Sequence, residues 1–241
     1  MNEHPPLLEV QNVTVRFGGV TAVDHVSLRL NPAELRCIIG PNGAGKSTFF
    51  KALTGQLRPS EGSIKLYGKE IRGHLPHQIA RLGIGVKTQT PSVFDGLAVH
   101  ENIFIAAQRS RSAATARYLA EMALARVKLE HLAKRRVGEL AHGQRQWVEI
   151  ATVLAQEPAL ILLDEPAAGM THDEILRTAE LIKDINRSQA LIVVEHDMQF
   201  IRMIGSRVTV FNQGKILLED SVDAVLADQR VRDVYIGKAL L

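Results

Sequence analysis

The sequence predicts an α/β protein with a mainly parallel sheet. Three features support this class: strand-like and helical segments alternate after residue 157, a glycine-rich segment at 40–48 separates a strand from a helix, and residues 91–157 have helical periodicity. Alternating strands and helices form parallel crossover units, because each helix returns the chain to the same end of the sheet. The 241 residues suffice for a large core without disulfides or structural metals.

Apolar alternation predicts the first elements. Residues Leu7–Leu30 alternate apolar and polar positions around a Gly-Gly turn, which predicts antiparallel strands at the N-terminal edge. Leu35–Ile39 predicts a strand that enters the glycine-rich segment, and Gly62–Gly68 suggests another hairpin strand. A helix is predicted to start at Lys46, because its apolar side chains follow at helical spacing: Phe49, Phe50, Leu53 and Leu57.

The middle segment is predicted to be an all-helical insert with two amphipathic faces. These faces consist of Tyr118, Met122, Ala125 and Leu129, and of Trp147, Ile150, Ala151 and Leu154. The strands predicted after the insert are Ala159–Leu163, Ala190–Val194, Val208–Phe211 and Lys215–Leu218, with helices from Asp173 and Met198. We therefore expect one domain over 7–237, with a core of about 7–90 and 158–237 and a helical subdomain of about 91–157.

Composition excludes several classes of protein. The formal net charge is only +3, and the basic residues are scattered except for Lys134-Arg135-Arg136, which we interpret as a solvated helix end, so we expect no nucleic-acid partner. The single cysteine, Cys37, excludes an internal disulfide framework and is expected to be buried. We find neither a signal-peptide pattern nor an apolar run of membrane-spanning length, so we expect a soluble chain whose membrane part, if any, belongs to a partner.

The strongest motif is Gly40-Pro41-Asn42-Gly43-Ala44-Gly45-Lys46-Ser47-Thr48, which satisfies G-x-x-x-x-G-K-[ST]. Its glycines allow backbone N–H groups to point at phosphate oxygens, and the helix that follows adds its positive dipole end. We expect Lys46 to reach the β- and γ-phosphates and Ser47 to offer its hydroxyl to Mg²⁺. The motif predicts a phosphate-binding loop of a nucleoside triphosphatase.

A pair of acids follows the apolar run Leu160–Leu163. This run is typical of a fully buried parallel strand, so Asp164 and Glu165 emerge at its carboxyl end, where open α/β sheets bind their ligands. Successive strand residues point in opposite directions, and the two carboxylates therefore have different roles. We expect Asp164 to hold Mg²⁺ through water and Glu165 to orient or deprotonate the attacking water.

Two further polar residues are placed by neighbouring strands. His196 follows the apolar run Leu191–Val194 at the same sheet edge as Asp164, from which an imidazole could contact the γ-phosphate. Gln89 lies where the sheet-like sequence gives way to the helical insert. Taken alone, this glutamine is more typical of an ordinary loop amide than of a functional residue.

A second glycine-containing helix start occurs at Leu140-Ala141-His142-Gly143-Gln144. Such a helix N-terminus also suits an anion, although one nucleotide needs a single phosphate-binding loop. The surplus site is explained if it binds the nucleotide of another chain across a two-fold axis. We therefore expect a dimer with ATP at its interface.

These residues resemble the ATP-binding subunits of ABC transporters over essentially the whole chain. The corresponding motifs are the Walker A loop at 40–47, the Q-loop at Gln89, the signature motif at 140–144, the Walker B end at 163–166, the D-loop at 169–171 and the switch histidine at His196. The resemblance implies a P-loop NTPase (RecA-like) fold with an N-terminal antiparallel β subdomain. It implies that Phe17 stacks on adenine, that Gln89 reaches the nucleotide and Mg²⁺, and that Glu165 and His196 are catalytic.

The resemblance also implies partners: membrane permease subunits, a second ATP-binding subunit and, indirectly, a periplasmic solute-binding protein, with the chain at the cytoplasmic face of the cell membrane. Several stretches are similar to the branched-chain amino acid and urea importer branch, and 142–150 and 167–171 resemble the urea importer's ATPase in particular. The ending Val234-Tyr235-Ile236-Gly237 is similar to that branch as well. Uptake of urea is therefore the main expectation, with a branched-chain amino acid importer as the alternative.

One departure from the family pattern is Ala141, which replaces the signature serine, and His142 replaces the first signature glycine as in urea-type subunits. Loss of a hydroxyl that binds phosphate should cost about 1.5–3 kcal/mol. Other functions remain open: a lipopolysaccharide- or lipid-export ATPase, or a soluble ABC ATPase without a transport role. A guanine-specific nucleotide site is disfavoured, because no Asn/Thr-Lys-x-Asp motif occurs.

Overall fold

The computed structural model describes residues 5–109, 111–205 and 207–236. The strands are β1 (Leu8–Phe17), β2 (Val20–Leu30), β3 (Leu35–Ile39), β4 (Glu61–Leu66), β5 (Lys69–Glu70), β6 (Ile84–Lys87), β7 (Leu160–Asp164), β8 (Ala190–Val194), β9 (Arg207–Asn212) and β10 (Lys215–Ser221). The helices are α1 (Lys46–Leu53), α2 (Pro76–Arg81), α3 (Val99–Gln108), α4 (Ala113–Arg126), α5 (His142–Leu154), α6 (His172–Asn186), α7 (Met198–Ile204), α8 (Val222–Ala227) and α9 (Gln229–Ile236). Gly237, the last residue of the predicted domain and of the family-like ending, lies outside the described residues.

The strands form two sheets. The N-terminal sheet has the order β2-β1-β4-β5 and is antiparallel, and the larger sheet has the order β10-β9-β3-β8-β7-β6. Neighbouring strands from β9 to β6 in this order are parallel. The predicted mainly parallel α/β fold with an antiparallel N-terminal subdomain is confirmed.

The last strand corrects one prediction. Lys215–Leu218 was predicted within the alternating parallel series, but β10 runs antiparallel to β9. The reason is the connection: only the turn at Gln213-Gly214 separates the two strands, and a parallel pair requires a crossover of a dozen or more residues.

Two hydrophobic clusters cover the two faces of the larger sheet. In β7, Ile161 and Leu163 join the cluster of helices α3 to α7, whereas Leu160 and Leu162 join the cluster of α1 and the antiparallel sheet. Alternate residues therefore enter different cores, which explains why this strand is apolar throughout. Cys37 of β3 is buried in the first cluster, as predicted, and burial raises the pKa of its thiol to about 12.

The helical segment contains α3, α4 and α5, in keeping with the predicted insert, but the predicted face of α4 is wrong. Tyr118 and Met122 are exposed by 60% and 52%. The helix packs through its small and branched side chains instead: Ala116, Leu119, Ala120, Ala123 and Leu124. It ends at Arg126, so Leu129 lies beyond it, just as Leu57 lies beyond the end of α1.

The basic triplet Lys134-Arg135-Arg136 is exposed as predicted, but it lies between two 3-10 turns, Glu130–Leu132 and Val137–Glu139, and not at the end of an α-helix. Within the described residues, no helix combines the length and apolar character needed to cross a membrane.

Candidate nucleotide site

The predicted phosphate-binding loop connects β3 to α1. Gly40 and Gly45 adopt φ values of 150° and 102°, and both lie against other backbone segments. A Cβ atom at Gly40 would overlap the carbonyl of Phe211, and one at Gly45 would overlap the carbonyl of Ala22. Glycine is therefore required at both positions by backbone conformation and by space.

The first turn of α1 presents cationic and polar groups. Gly45 occupies the N-cap position, where no side chain of the described residues caps the helix. The Nζ atom of Lys46 donates hydrogen bonds to the carbonyl oxygens of Gly40 (2.6 Å) and Pro41 (3.1 Å), which places the ammonium across the loop. Ser47 is exposed beside it. An uncapped helix start with an adjacent ammonium suits a polyphosphate.

Asp164 and Glu165 have different environments, as the strand direction predicts. Asp164 ends β7 and is buried; burial raises the pKa of its carboxyl, Glu165 adds to this rise, and Lys87 and Lys46 oppose it. Glu165 is half-buried and has a φ of 48°, a left-handed conformation that is costly for a residue with a side chain. Backbone strain of this kind concentrates at functional sites.

His196 lies next to Glu165. Its Nδ1 atom is 3.4 Å from Oε1 of Glu165, and its side chain is exposed. Glu195, which precedes His196 in the chain, is buried and accepts hydrogen bonds from the backbone N–H groups of Ala167 (3.2 Å) and His196 (3.1 Å). Glu195 thus joins the segment after β7 to the segment after β8.

Gln89 is exposed two residues after β6. A cleft of about 320 Å³ extends from this loop to Glu165 and the start of α5. Its lining contains Lys87, Gln89, His142, Gln146, Glu165, Ala168 and Gly169. The structure therefore brings Gln89, Glu165 and the second helix start to one cleft.

The second helix start is α5, with Ala141 at its N-cap. The Oε1 atom of Gln144 accepts a hydrogen bond from the backbone N–H of Ala141 at 3.2 Å. His142 Nε2 lies 3.0 Å from the carbonyl oxygen of Ala168, so its N–H donates to the segment after β7. Gly143 lies against Glu174, whose carboxylate would overlap any Cβ atom there.

Phe17 ends β1 and is 49% exposed. The hairpin that carries it packs against the phosphate-binding loop, because the N–H of Gly214 donates to Ala44 and the N–H of Asp24 donates to Gly214. The direct contact of this hairpin with the loop is at Ala22, whose carbonyl a Cβ atom at Gly45 would overlap. An exposed ring on this hairpin is compatible with stacking on a base.

Sequence reasoning missed three buried charged residues near this site: Lys87, Glu149 and Glu195. Burial lowers the pKa of Lys87 and raises the pKa values of Glu149 and Glu195. The available signal was a charge next to or within an apolar run, such as Glu149 in the stretch 147–154. A further missed residue is Tyr235 of α9, where burial raises the phenol pKa to about 12 and the backbone of Gly40 opposes the rise.

The residues present fit a magnesium nucleotide. Ser47, Gln89 and Asp164 offer hydroxyl, amide and carboxylate oxygens, which are the hard donors that Mg²⁺ prefers when phosphates supply its other ligands. Lys46 is near enough to Asp164 to influence its carboxyl electrostatically. A bound ion would supply positive charge that offsets the negative charge of the phosphates.

Comparisons with known proteins agree with this geometry. The sequence profile of the ABC transporter family matches residues 23–168. The chain is 34% identical to the high-affinity branched-chain amino acid transport ATP-binding proteins of Pseudomonas aeruginosa and Escherichia coli K12, covering 97% of this chain and 99% of each relative. The chain is also 34% identical to a ribose import ATP-binding protein of Rubrobacter xylanophilus. This match covers 98% of this chain and 48% of that protein.

Solved structures are similar as well. An ATP-binding cassette of an ABC transporter in its ADP conformation has a TM-score of 0.87 at 29% identity, covering 97% of this chain and all of that one. A nucleotide-free cassette has a TM-score of 0.86 at 28% identity, covering 95% and 98%. The chain therefore belongs to the ABC transporter family, in which it is an ATPase and the ATP-binding subunit of an importer.

Proposed function

We propose that this ATPase hydrolyses MgATP at the phosphate-binding loop and thereby energises solute uptake through membrane permease subunits. The observation that carries the proposal is that His196 lies beside Glu165, that Gln89 lines the same cleft as Glu165, and that Lys46 acts electrostatically on the neighbouring Asp164. In this proposal the chain acts at the cytoplasmic face of the membrane, and a solute-binding protein delivers the solute to the permease.

The geometry supports the following hydrolytic roles. Lys46 and the first-turn N–H groups of α1 would hold the β- and γ-phosphates, and Ser47, Asp164 and Gln89 would hold Mg²⁺. Glu165 orients a water for attack on the γ-phosphorus and accepts its proton as the bond to the β-phosphate oxygen breaks. His196, 3.4 Å from Glu165, holds that carboxylate and contacts the γ-phosphate.

The start of α5 supports a dimeric arrangement. Ala141, His142, Gly143 and Gln144 form a second helix N-terminus, which would contact the ATP bound to a second ATP-binding chain. ATP binding would close the two chains on each other, and hydrolysis would release them. The second chain is either another copy or a related subunit.

The transported solute is proposed from the relatives. Branched-chain amino acids are favoured, because the relatives with 34% identity over nearly their whole length are named for that transport. Urea is the second candidate, supported by the similarity of 142–150 to the urea importer's ATPase. Solute choice resides in other subunits in either case.

Uptake measurements on the complete transporter test this proposal. The chain is purified from native membranes with the permease that accompanies it, reconstituted with internal MgATP, and supplied with radiolabelled leucine or urea. We expect leucine uptake that Lys46→Ala removes. Urea uptake alone would replace the first solute by the second, and ATP-independent uptake of either would contradict the proposed coupling.

A further inference from the structure

A buried ion pair connects the loop that carries Gln89 to the helix that carries the signature residues. Lys87 is the last residue of β6, and Glu149 lies in α5. Their side chains are 1% and 2% exposed, and Nζ of Lys87 is 3.8 Å from Oε2 of Glu149. The pair therefore spans the boundary between the sheet and the helical segment, inside the protein.

The position of each partner along the chain is informative. Gln89 follows Lys87 by two residues, and Glu149 follows the start of α5 at His142 by two helical turns. Both Lys87 and Gln89 line the cleft that also contains His142 and Glu165. A shift of either partner of the pair would move one wall of that cleft relative to the other.

The geometry of the pair does not suit a stabilising role. Arg36, the other large buried cation among the described residues, donates to Glu34 at 2.5 Å and to Thr209 at 3.0 Å and lies 2.6 Å from Glu219, so its charge is well satisfied. The contact of Lys87 with Glu149 is much longer and is not a hydrogen bond, and the hydrogen bond that Nζ of Lys87 donates to the carbonyl of Thr88 is 3.5 Å long. Burial of two charges without short hydrogen bonds costs more than their attraction returns.

We propose that Lys87 and Glu149 are a positioning pair, which holds the Gln89 loop and the signature helix in one arrangement so that both respond together to bound MgATP. Neither residue touches nucleotide in this proposal; the pair acts through Gln89 and the start of α5, and the charge of Lys87 also acts on the carboxyl of Asp164. The proposal rests on the function proposed above for those two segments.

Three variants of the full chain separate positioning from stability. Lys87→Met and Glu149→Gln each remove one charge, and the double variant Lys87→Met/Glu149→Met removes both. Replacement of a buried ion pair by apolar side chains of similar volume is commonly neutral or stabilising, so the double variant should unfold at or above the wild-type temperature. It keeps the test valid even where a single variant folds poorly.

Asp184→Asn is the matched control. Arg126 of α4 and Asp184 of α6 also join the helical segment to the rest of the chain, with Nε and Oδ2 3.0 Å apart, but this pair is partly exposed and outside the cleft. The control should keep turnover within about twofold of the wild type, because exposed pairs contribute little.

Two measurements are made on every variant: MgATP turnover, and hydrogen exchange of the backbone with and without MgATP. We expect the double variant to lose about tenfold or more in kcat with KM changed less than about threefold, the result for a group that acts after binding. MgATP should still protect residues 40–48 from exchange, whereas protection of 88–90 and 141–146 should be lost.

The outcomes are distinguishable. A stable double variant with wild-type kcat and wild-type protection of all three segments would overturn the positioning role. Failure of MgATP to protect 40–48 in the wild type would instead contradict the nucleotide site itself. If MgATP protects 40–48 normally and Lys87→Met keeps the wild-type kcat and the wild-type protection of 88–90 and 141–146, the positioning role is rejected. The proposed nucleotide site would still stand.

Discussion

The two helix starts of this chain, α1 and α5, differ in how they are completed. At α1, no described side chain caps the N-terminus, and the ammonium of Lys46 lies across the preceding loop. At α5, the side chain of Gln144 accepts a hydrogen bond from the N–H of Ala141, and the carboxylate of Glu174 lies against Gly143. The first start carries an ammonium and no side-chain cap from the described residues, whereas the second is contacted by the side chains of Gln144 and Glu174.

The comparison shows that two helix N-termini of similar geometry can have different roles in one fold. A helix N-terminus attracts anions by its dipole, but the effect is modest and is confined to the first turn. The first site adds a lysine and a wrapped glycine loop, and so it can bind phosphate alone. The second lacks a cation of that kind in its motif, so we infer that it contributes only when another chain supplies the nucleotide.

The largest expected effect comes from the first site. Lys46→Ala should abolish measurable MgATP binding, a loss of at least about a hundredfold, because it removes the ammonium from a charge-assisted phosphate contact. Titration calorimetry measures this affinity. Lys51→Ala, which removes an exposed lysine from the last turn of the same helix, is the control and should bind nearly as well as the wild type. Equal MgATP affinities of Lys46→Ala and Lys51→Ala would show that the ammonium of Lys46 does not distinguish the first helix start from the second.

The second effect concerns chemistry after binding. Glu165→Gln should bind MgATP with wild-type affinity but turn it over about 10²–10⁴ times more slowly, the usual contribution of a general base. Single-turnover phosphate release measures the rate. Glu157→Gln changes an exposed glutamate in the same way and should leave the rate unchanged. Unimpaired turnover in Glu165→Gln would assign the catalytic carboxylate elsewhere.

A third change sharpens the role of the second helix start. Ala141→Ser restores a hydroxyl at the N-cap of α5 and should raise turnover by roughly ten- to a hundredfold, because a bond to an anion contributes about 1.5–3 kcal/mol. Ala98→Ser is a matched control, since Ala98 is the N-cap of α3 and its N–H is likewise bonded by a side chain three residues on, Glu101. A rate that stays the same in Ala141→Ser would show that the missing hydroxyl does not limit hydrolysis.

The smallest effect is on stability. His142→Ala removes the hydrogen bond to the Ala168 carbonyl, which should lower the free energy of unfolding by about 0.5–1.5 kcal/mol. Urea unfolding monitored by circular dichroism measures this change. His131→Ala alters an exposed histidine elsewhere in the helical segment and serves as the reference. A loss no larger than the reference would mean that His142 does not hold the two segments together.

Much of the fold and of the phosphate-binding loop could be predicted from the sequence, because their signals are local. The glycines and the lysine of Gly40–Thr48 determine the backbone conformation and the charge of the loop. The continuous apolar run of β7 indicates a strand that is buried on both faces. The predicted P-loop fold is confirmed by the similar solved structures.

The wrong predictions arise where tertiary packing, and not the local sequence pattern, determines which residues are buried. The buried face of α4 is made largely of Ala116, Ala120 and Ala123, so a search for large apolar residues selected Tyr118 and Met122 on the opposite side. Small side chains allow neighbouring helices to approach closely and leave larger residues outside. The Lys87 contact with Glu149 joins residues 62 positions apart and has no local signature.

The assignments of Gln89, His196 and the signature residues stay predictions about function. The structure adds their proximity: His196 lies beside Glu165, and the cleft joins Gln89 to the start of α5. It also shows that Ala141 and His142 are exposed and so can meet another chain.

The central claim is that the nucleotide site of one chain is completed by the N-terminus of α5 from another chain. Light scattering of Glu165→Gln tests it most directly, with the variant alone and mixed with the ATP-binding chain that co-purifies with its permease. The account predicts that MgATP raises the measured mass to that of two ATP-binding chains in one of these samples, and that Lys46→Ala prevents this. A mass of one chain in both samples at saturating MgATP would contradict the account.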